Sequence, residues 1–106
     1  MSKERWGATM YVVVAEYYTQ EGKEAAVAAV LERMVPIANA EPGCALYVVN
    51  RSREDPRKFL LYEQYLDEAG YETHIQSAPV QEHIFGSVVP MLEHRVRHFY
   101  DIIGSA

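Results

Sequence analysis

Apolar positions along the chain switch between two spacings, and each switch marks an element. Thr9 to Tyr18 (TMYVVVAEYY) is short, β-branched and aromatic, with no Gly or Pro inside, which predicts a strand. Its middle is apolar at consecutive positions, so both of its faces are expected to be covered. Gly22 breaks the pattern. Val27, Val30, Leu31, Met34, Val35 and Ala38 then recur at i, i+3, i+4, i+7, i+8 and i+11, one face of an α-helix. Pro36 is expected to kink or end that helix, because it lacks a backbone donor and crowds the preceding turn. Glu41-Pro42-Gly43 reads as a turn, and Cys44 to Arg51 as a second strand. The polar stretch Ser52 to Lys58, with Asp55-Pro56 in its middle, reads as a hairpin connection to a third strand, Phe59 to Tyr65. Asp67 is the expected N-cap of a helix running to about Ser77, with Tyr71, His74 and Ile75 on one face. Ser77-Ala78-Pro79 restarts a helical segment that ends near Pro90. Glu93 to Ile103 closes the chain as a fourth strand.

This β-α-β-β-α-β order predicts an α+β, ferredoxin-like protomer with a four-stranded antiparallel sheet. Two helices cover only one face of such a sheet. Three strands are nevertheless apolar on both faces: Val12/Val14 against Tyr11/Val13, Leu46/Val48 against Tyr47/Val49, and Leu60/Tyr62 against Phe59/Leu61. A second copy of the chain, packed sheet to sheet, is the expected cover, making the working unit a homodimer.

Composition sharpens this. The 106 residues provide for one domain (1–106, core about 9–103). Hydrophobic residues make up 49% of them and include eight Tyr, more apolar material than a chain of this size easily hides. A net charge of −5 gives no footprint for nucleic acid. One cysteine, Cys44, excludes an internal disulfide framework; opening a strand, it reads as a small core residue. The longest apolar run, Ala25 to Leu31, is seven residues, against the roughly 20 a membrane span needs. The charged start, Met1 to Arg5, leads into no apolar signal core, so a cytoplasmic protein is expected. The glycines form no phosphate-binding loop. His94 and His98 on a strand stand about 13 Å apart, so no metal is expected there. Arg95 and Arg97 between them read as an edge or dimer-surface pattern.

The candidate chemistry is proton transfer in an apolar pocket. Strand alternation puts Leu61, Glu63 and Tyr65 on one side; a helix packing Tyr71, His74 and Ile75 onto that side converges Glu63, Tyr65, Tyr71 and His74. A carboxylate beside His74 would fix its tautomer and raise its pKa, making it a proton acceptor near neutrality. Tyr hydroxyls would orient a phenolic substrate, with Tyr47 shaping the pocket. The plainer reading makes Glu63–His74 a brace between helix and strand, and the tyrosines core. His83 is either a surface helix residue or a pocket wall.

Glu41-Pro42-Gly43-Cys44-Ala45-Leu46-Tyr47, Asp55-Pro56, Phe59 to Tyr65 (FLLYEQY), Ala69, His74 and Ser77 together resemble the antibiotic biosynthesis monooxygenase family over about residues 10–85. The resemblance implies a dimeric α+β barrel of ferredoxin-like protomers. It also implies a range of chemistries: cofactor-free anthrone and quinol oxygenation, haem degradation, and isomerisation of a phosphorylated sugar. Against the anthrone oxygenase type, Tyr65 stands for an active-site Trp and Tyr71 for an active-site Tyr, while Leu61 replaces an active-site Asn. Pro79 replaces a second His found in many members. The haem enzymes place a Trp near the site, whereas the only Trp here is Trp6. The expected function is oxidation of a small quinol or polycyclic phenol by dioxygen, without metal or other cofactor. His74 and Glu63 are the expected catalytic pair; Tyr65, Tyr71, Leu61, Tyr47 and His83 are the expected substrate contacts. An isomerase or detoxification enzyme, or a non-catalytic small-molecule-binding module, is the alternative on the same scaffold.

Overall fold

A computed structural model describes residues 10–105 of the chain. The expected charged start, the first strand residue Thr9, and Trp6 lie outside the described residues. Strand β1 (Tyr11–Thr19) is followed by helix α1 (Glu24–Asn39), β2 (Cys44–Arg51), β3 (Lys58–Tyr65) and helix α2 (Glu68–Gln76). A π-helix (Val80–Val88), a 3-10 turn (Val89–Met91) and β4 (Leu92–Asp101) complete it. The strands form one antiparallel sheet in the order β2-β3-β1-β4. This is the ferredoxin-like α+β fold.

Register decides which side chains meet. Val13 pairs with Glu63 on one side and Phe99 on the other, and Ala15 pairs with Leu61 and Arg97. These odd-numbered positions of β1 face the helices, and Val13, Ala15 and Tyr17 are buried there. Helix α1 lays Val27, Val30, Leu31, Met34 and Ala38 onto the same core. Each Val, Leu or Met among them contributes about 1.5–3 kcal/mol of burial.

Pro36 does not end α1 at its own position, since the helix continues to Asn39. Only three residues follow the proline, so the lost donor falls in the last turn. Asn39 compensates at that end. Its amide donates to the carbonyls of Val35 (2.8 Å) and Tyr47 (3.0 Å), and its Oδ1 accepts from the Tyr47 N–H (3.1 Å). The side chain thus pairs with the free backbone edge of β2 and fixes Tyr47. Asp67 caps α2 as predicted, accepting from the Gly70 N–H at 2.8 Å. The segment after it differs in type: it is a π-helix, its wide turn closed by Val89 N–H donating to Ile84 O. Gly86 suits that turn, where an added Cβ would lie 3.2 Å from Gln81 O.

The opposite sheet face carries Val12, Val14, Leu46, Val48, Leu60, Tyr62, Val96 and Tyr100. Leu46, Val48, Leu60, Val96 and Tyr100 remain substantially exposed. No helix among the described residues is long and apolar enough to cross a membrane.

Two glycines set how the helical layer meets the turn before β2. A Cβ built on Gly70 would lie 2.8 Å from Gly43 O, and one on Gly43 would lie 2.9 Å from Gly70 Cα. Backbone therefore rests on backbone. Gly70→Ala raises helix propensity by about 1 kcal/mol, yet it should destabilise the protein by about 1–3 kcal/mol through overpacking. Urea denaturation checks this, and a net gain in stability would contradict the close contact.

Candidate active site

His74 lies on the buried face of α2, 3% exposed, above the β3 residues Glu63 and Tyr65. Its ring is enclosed by aromatic neighbours: Tyr65 at 5.2 Å, Tyr47 at 5.6 Å and Tyr71 at 6.5 Å between ring centres. Its hydrogen-bond partner is Glu41, whose carboxylate oxygens stand 2.8 and 3.0 Å from Nδ1. A carboxylate only accepts, so the ring donates from Nδ1. In the neutral imidazole, Nε2 then carries the lone pair.

Glu63 was expected to orient His74, and here the geometry differs. Glu63 Oε1 is 3.8 Å from His74 Nε2, on the opposite ring edge from Glu41. Its hydrogen bond comes instead from the Tyr65 hydroxyl, at 2.5 Å. Glu63 is 5% exposed, and burial pushes its carboxyl up to about 7; the Tyr65 hydrogen bond and the Arg97 charge pull the other way without prevailing. Burial also decides His74. It lowers the imidazole below its ordinary value, and the Glu41 charge and hydrogen bond offset this only partly. The expected upward shift is therefore reversed, because enclosure among aromatic rings outweighs one carboxylate at the rim. Burial thus favours the uncharged form of both groups.

Nε2 and Glu63 open onto a cavity of about 20 Å³, bounded by Ala15, Tyr17, Tyr47, Tyr71, Ile75 and the π-helix residues Val80, Ile84 and Phe85. That is room for about one water molecule. Ala15 makes the space: in the sheet row Leu61–Ala15–Arg97 it is the one small side chain. Arg95 and Arg97 of β4 close the last side.

Of the sequence-predicted residues, His74, Glu63, Tyr71 and Tyr47 meet at this cavity, and Tyr65 backs Glu63 from the core. Leu61, 1% exposed, packs in the core and does not reach the cavity. His83 is partly exposed, its Nε2 3.9 Å from Glu82, and lies outside the cavity lining. Cys44 is core, its thiol pushed up to about 11 by burial. Sequence reasoning missed Glu41, which it read only as part of a turn, and Ala15. Arg95 and Arg97 do lie on an edge strand, as expected, and the register additionally turns both toward the helices and the cavity. The Gly43/Gly70 pair was the available signal for Glu41: a glycine in the first turn of a helix marks a close backbone approach. The approaching segment is the turn that carries Glu41.

The Glu63 shift has a measurable consequence. A carboxyl raised from 4.5 to about 7 on folding stabilises the native state fully below pH 4.5, and that stability is lost as pH rises through 7. The amount is on the order of 3 kcal/mol. Glu63→Gln keeps an acceptor for Tyr65 and removes the titration. Between pH 4.5 and 7.5 the variant should gain stability relative to wild type by up to that amount, read by urea denaturation across the range. A stability difference independent of pH would contradict the burial assigned to Glu63. His74, with its lowered value, acts oppositely in both proteins, losing stability as pH falls below 6.5.

A sequence profile of the antibiotic biosynthesis monooxygenase family matches residues 10–84. Among solved structures, a protein from Shewanella oneidensis is 30% identical, covering 90% of this chain and 92% of its own, with a TM-score of 0.84. A candidate antibiotic biosynthesis monooxygenase from Nitrosomonas europaea is 22% identical (91% and 92% covered, TM-score 0.85). A protein from Mycobacterium tuberculosis is 20% identical (92% and 99% covered, TM-score 0.85). No curated protein sequence matches significantly. With a profile match over most of its length, and the βαββαβ sheet those structures share, the chain belongs to the antibiotic biosynthesis monooxygenase family.

Proposed function

We propose that the protein is a monooxygenase that oxidises a small quinol or phenol with dioxygen, using His74 as the proton acceptor. The observation that carries this reading is the Glu41–His74 hydrogen bond (2.8 Å), which leaves the lone pair on Nε2, the ring edge nearer Glu63, with both residues lining one cavity. A general base needs an unprotonated nitrogen near working pH and a fixed ring. Burial supplies the first and Glu41 the second.

The chemistry asks little more of the protein. His74 takes the hydroxyl proton, and the resulting phenolate transfers an electron to dioxygen. Recombination gives a carbon-bound peroxide, to which His74 returns its proton. The hydrogen on that ring carbon is then lost as a proton as the O–O bond breaks: one oxygen stays as a quinone carbonyl, and the other leaves as hydroxide and takes up that proton as water. The balance is phenol plus dioxygen to quinone plus water. Glu63, titrating near 7, serves as a second proton relay beside Nε2. The small cavity keeps bulk water from His74 and Glu63. Oxygen-electrode measurements with a panel of hydroquinones and anthrone-like phenols, with and without chelator, test the reading. Uptake should occur in both conditions and fall roughly 10²–10⁴-fold in His74→Ala, with a smaller loss in Glu41→Gln. Unchanged uptake in His74→Ala, or anaerobic turnover of the same compounds, would contradict it.

The working unit in this reading is a homodimer closed over the second sheet face. Leu46, Val48, Leu60, Val96 and Tyr100 form one apolar surface there, larger than isolated exposed residues require. Analytical ultracentrifugation at micromolar concentration should give a dimer, and Val48→Lys, on the β2 side of that face, should give a folded monomer. A monomeric wild type would overturn the assignment.

A further inference from the structure

The proton-transfer arrangement leaves two guanidinium groups unused. Register sets Arg97 opposite Ala15 and Arg95 opposite Tyr17, so both project to the helical side and line the cavity. Among the described residues neither has a carboxylate within ion-pairing distance. Arg95 lies over the Phe85 ring, 5.2 Å from its centre. Arg97 is more pointed: its Nη1 donates to the Tyr71 hydroxyl at 2.6 Å. A tyrosine that accepts from a cation keeps its own O–H free to donate, and the cation polarises that O–H. Tyr71 is also the residue that joins the cavity to the surface. Its ring lies 5.6 Å from Tyr11 and 5.7 Å from Phe99, and Tyr11 and Phe99 are themselves 5.7 Å apart. Phe99 is 47% exposed. An aryl ring does not fit a 20 Å³ cavity, but it can lie on this aromatic shelf with its hydroxyl directed inward past Tyr71.

We propose that Arg97 and Tyr71 form an anion-recognition pair that selects planar substrates whose reacting hydroxyl ionises. The ring rests against Tyr11 and Phe99, and the ionised oxygen accepts the Tyr71 O–H while Arg97 supplies the balancing charge. The proton goes to His74 Nε2, so the inference rests on the base assigned above. It names what that base leaves behind, an oxyanion in an apolar surround, and which groups stabilise it. Arg97 acts through Tyr71 and is a positioning residue.

The probe is 4-nitrophenolate, compared with its uncharged methyl ether 4-nitroanisole, at a pH above the probe's own pKa. Titration of the wild-type protein should show the phenolate bound at least about tenfold more tightly than the ether, the range of one charge-assisted hydrogen bond. Arg97→Gln should abolish that preference while leaving the affinity for 4-nitroanisole unchanged. Arg97→Lys should retain part of it, and Tyr71→Phe should lose it with Arg97 intact. Arg97 is largely solvent-exposed, and circular dichroism confirms that its variants fold. No phenolate preference in wild type, or an equal preference in Arg97→Gln, overturns the inference. The readout requires no turnover, so preference without oxygen uptake would sink the monooxygenase reading alone, and uptake without preference would sink this one.

Discussion

The contact between Gly43 and Gly70 governs the rest of the site. Helix α2 can approach the turn before β2 only because neither position carries a side chain, with prospective Cβ positions under 3 Å from opposing backbone. The Leu66 N–H donates to Gly43 O at 2.9 Å, and Asp67 caps the helix at Gly70, so the approach is fixed from both ends. His74, one turn beyond Gly70, then meets Glu41, two residues before Gly43. Loosening the glycine contact would remove the carboxylate that sets the imidazole tautomer. Packing, tautomer and base strength are thus consequences of one backbone distance.

Burial sets the electrostatics within that frame. Glu63 and His74 are adjacent, oppositely ionisable, and nearly free of solvent, yet they do not form a tight ion pair; their closest polar atoms are 3.8 Å apart. Desolvation raises the carboxyl and lowers the imidazole, so both neutral forms are populated near neutrality. An enclosed neutral base is suited to accepting a proton from a weakly acidic hydroxyl. On another side of the same cavity β4 presents Arg95 and Arg97.

The fold was legible in the sequence because its signals are local. Strand alternation, the i, i+3, i+4 stripe of α1 and the Asp67 cap each depend on a few neighbouring residues. The misses arose where distant parts decide. Pro36 stays helical because Asn39 reaches across to β2. The π-helix depends on a hydrogen-bonding shift that leaves no apolar period of its own. In the site, Glu63, Tyr71 and His74 could be placed on one side from periodicity alone. Glu41 could not, because a turn has no period, and its role requires knowing which helix docks on it. The place of Arg97 at the cavity was not legible for a related reason: its facing depends on the register of β4 against β1, which a single strand does not disclose.

The central claim is that His74 is neutral, protonated on Nδ1 by virtue of Glu41, and free at Nε2. Side-chain ¹⁵N NMR of the histidine-labelled protein at pH 7, with His74 assigned by comparison with His74→Gln, reads this directly. The account predicts a protonated Nδ1 and an unprotonated Nε2, with the Nδ1–H signal lost or shifted in Glu41→Gln. An imidazolium, or the tautomer protonated at Nε2, would contradict it.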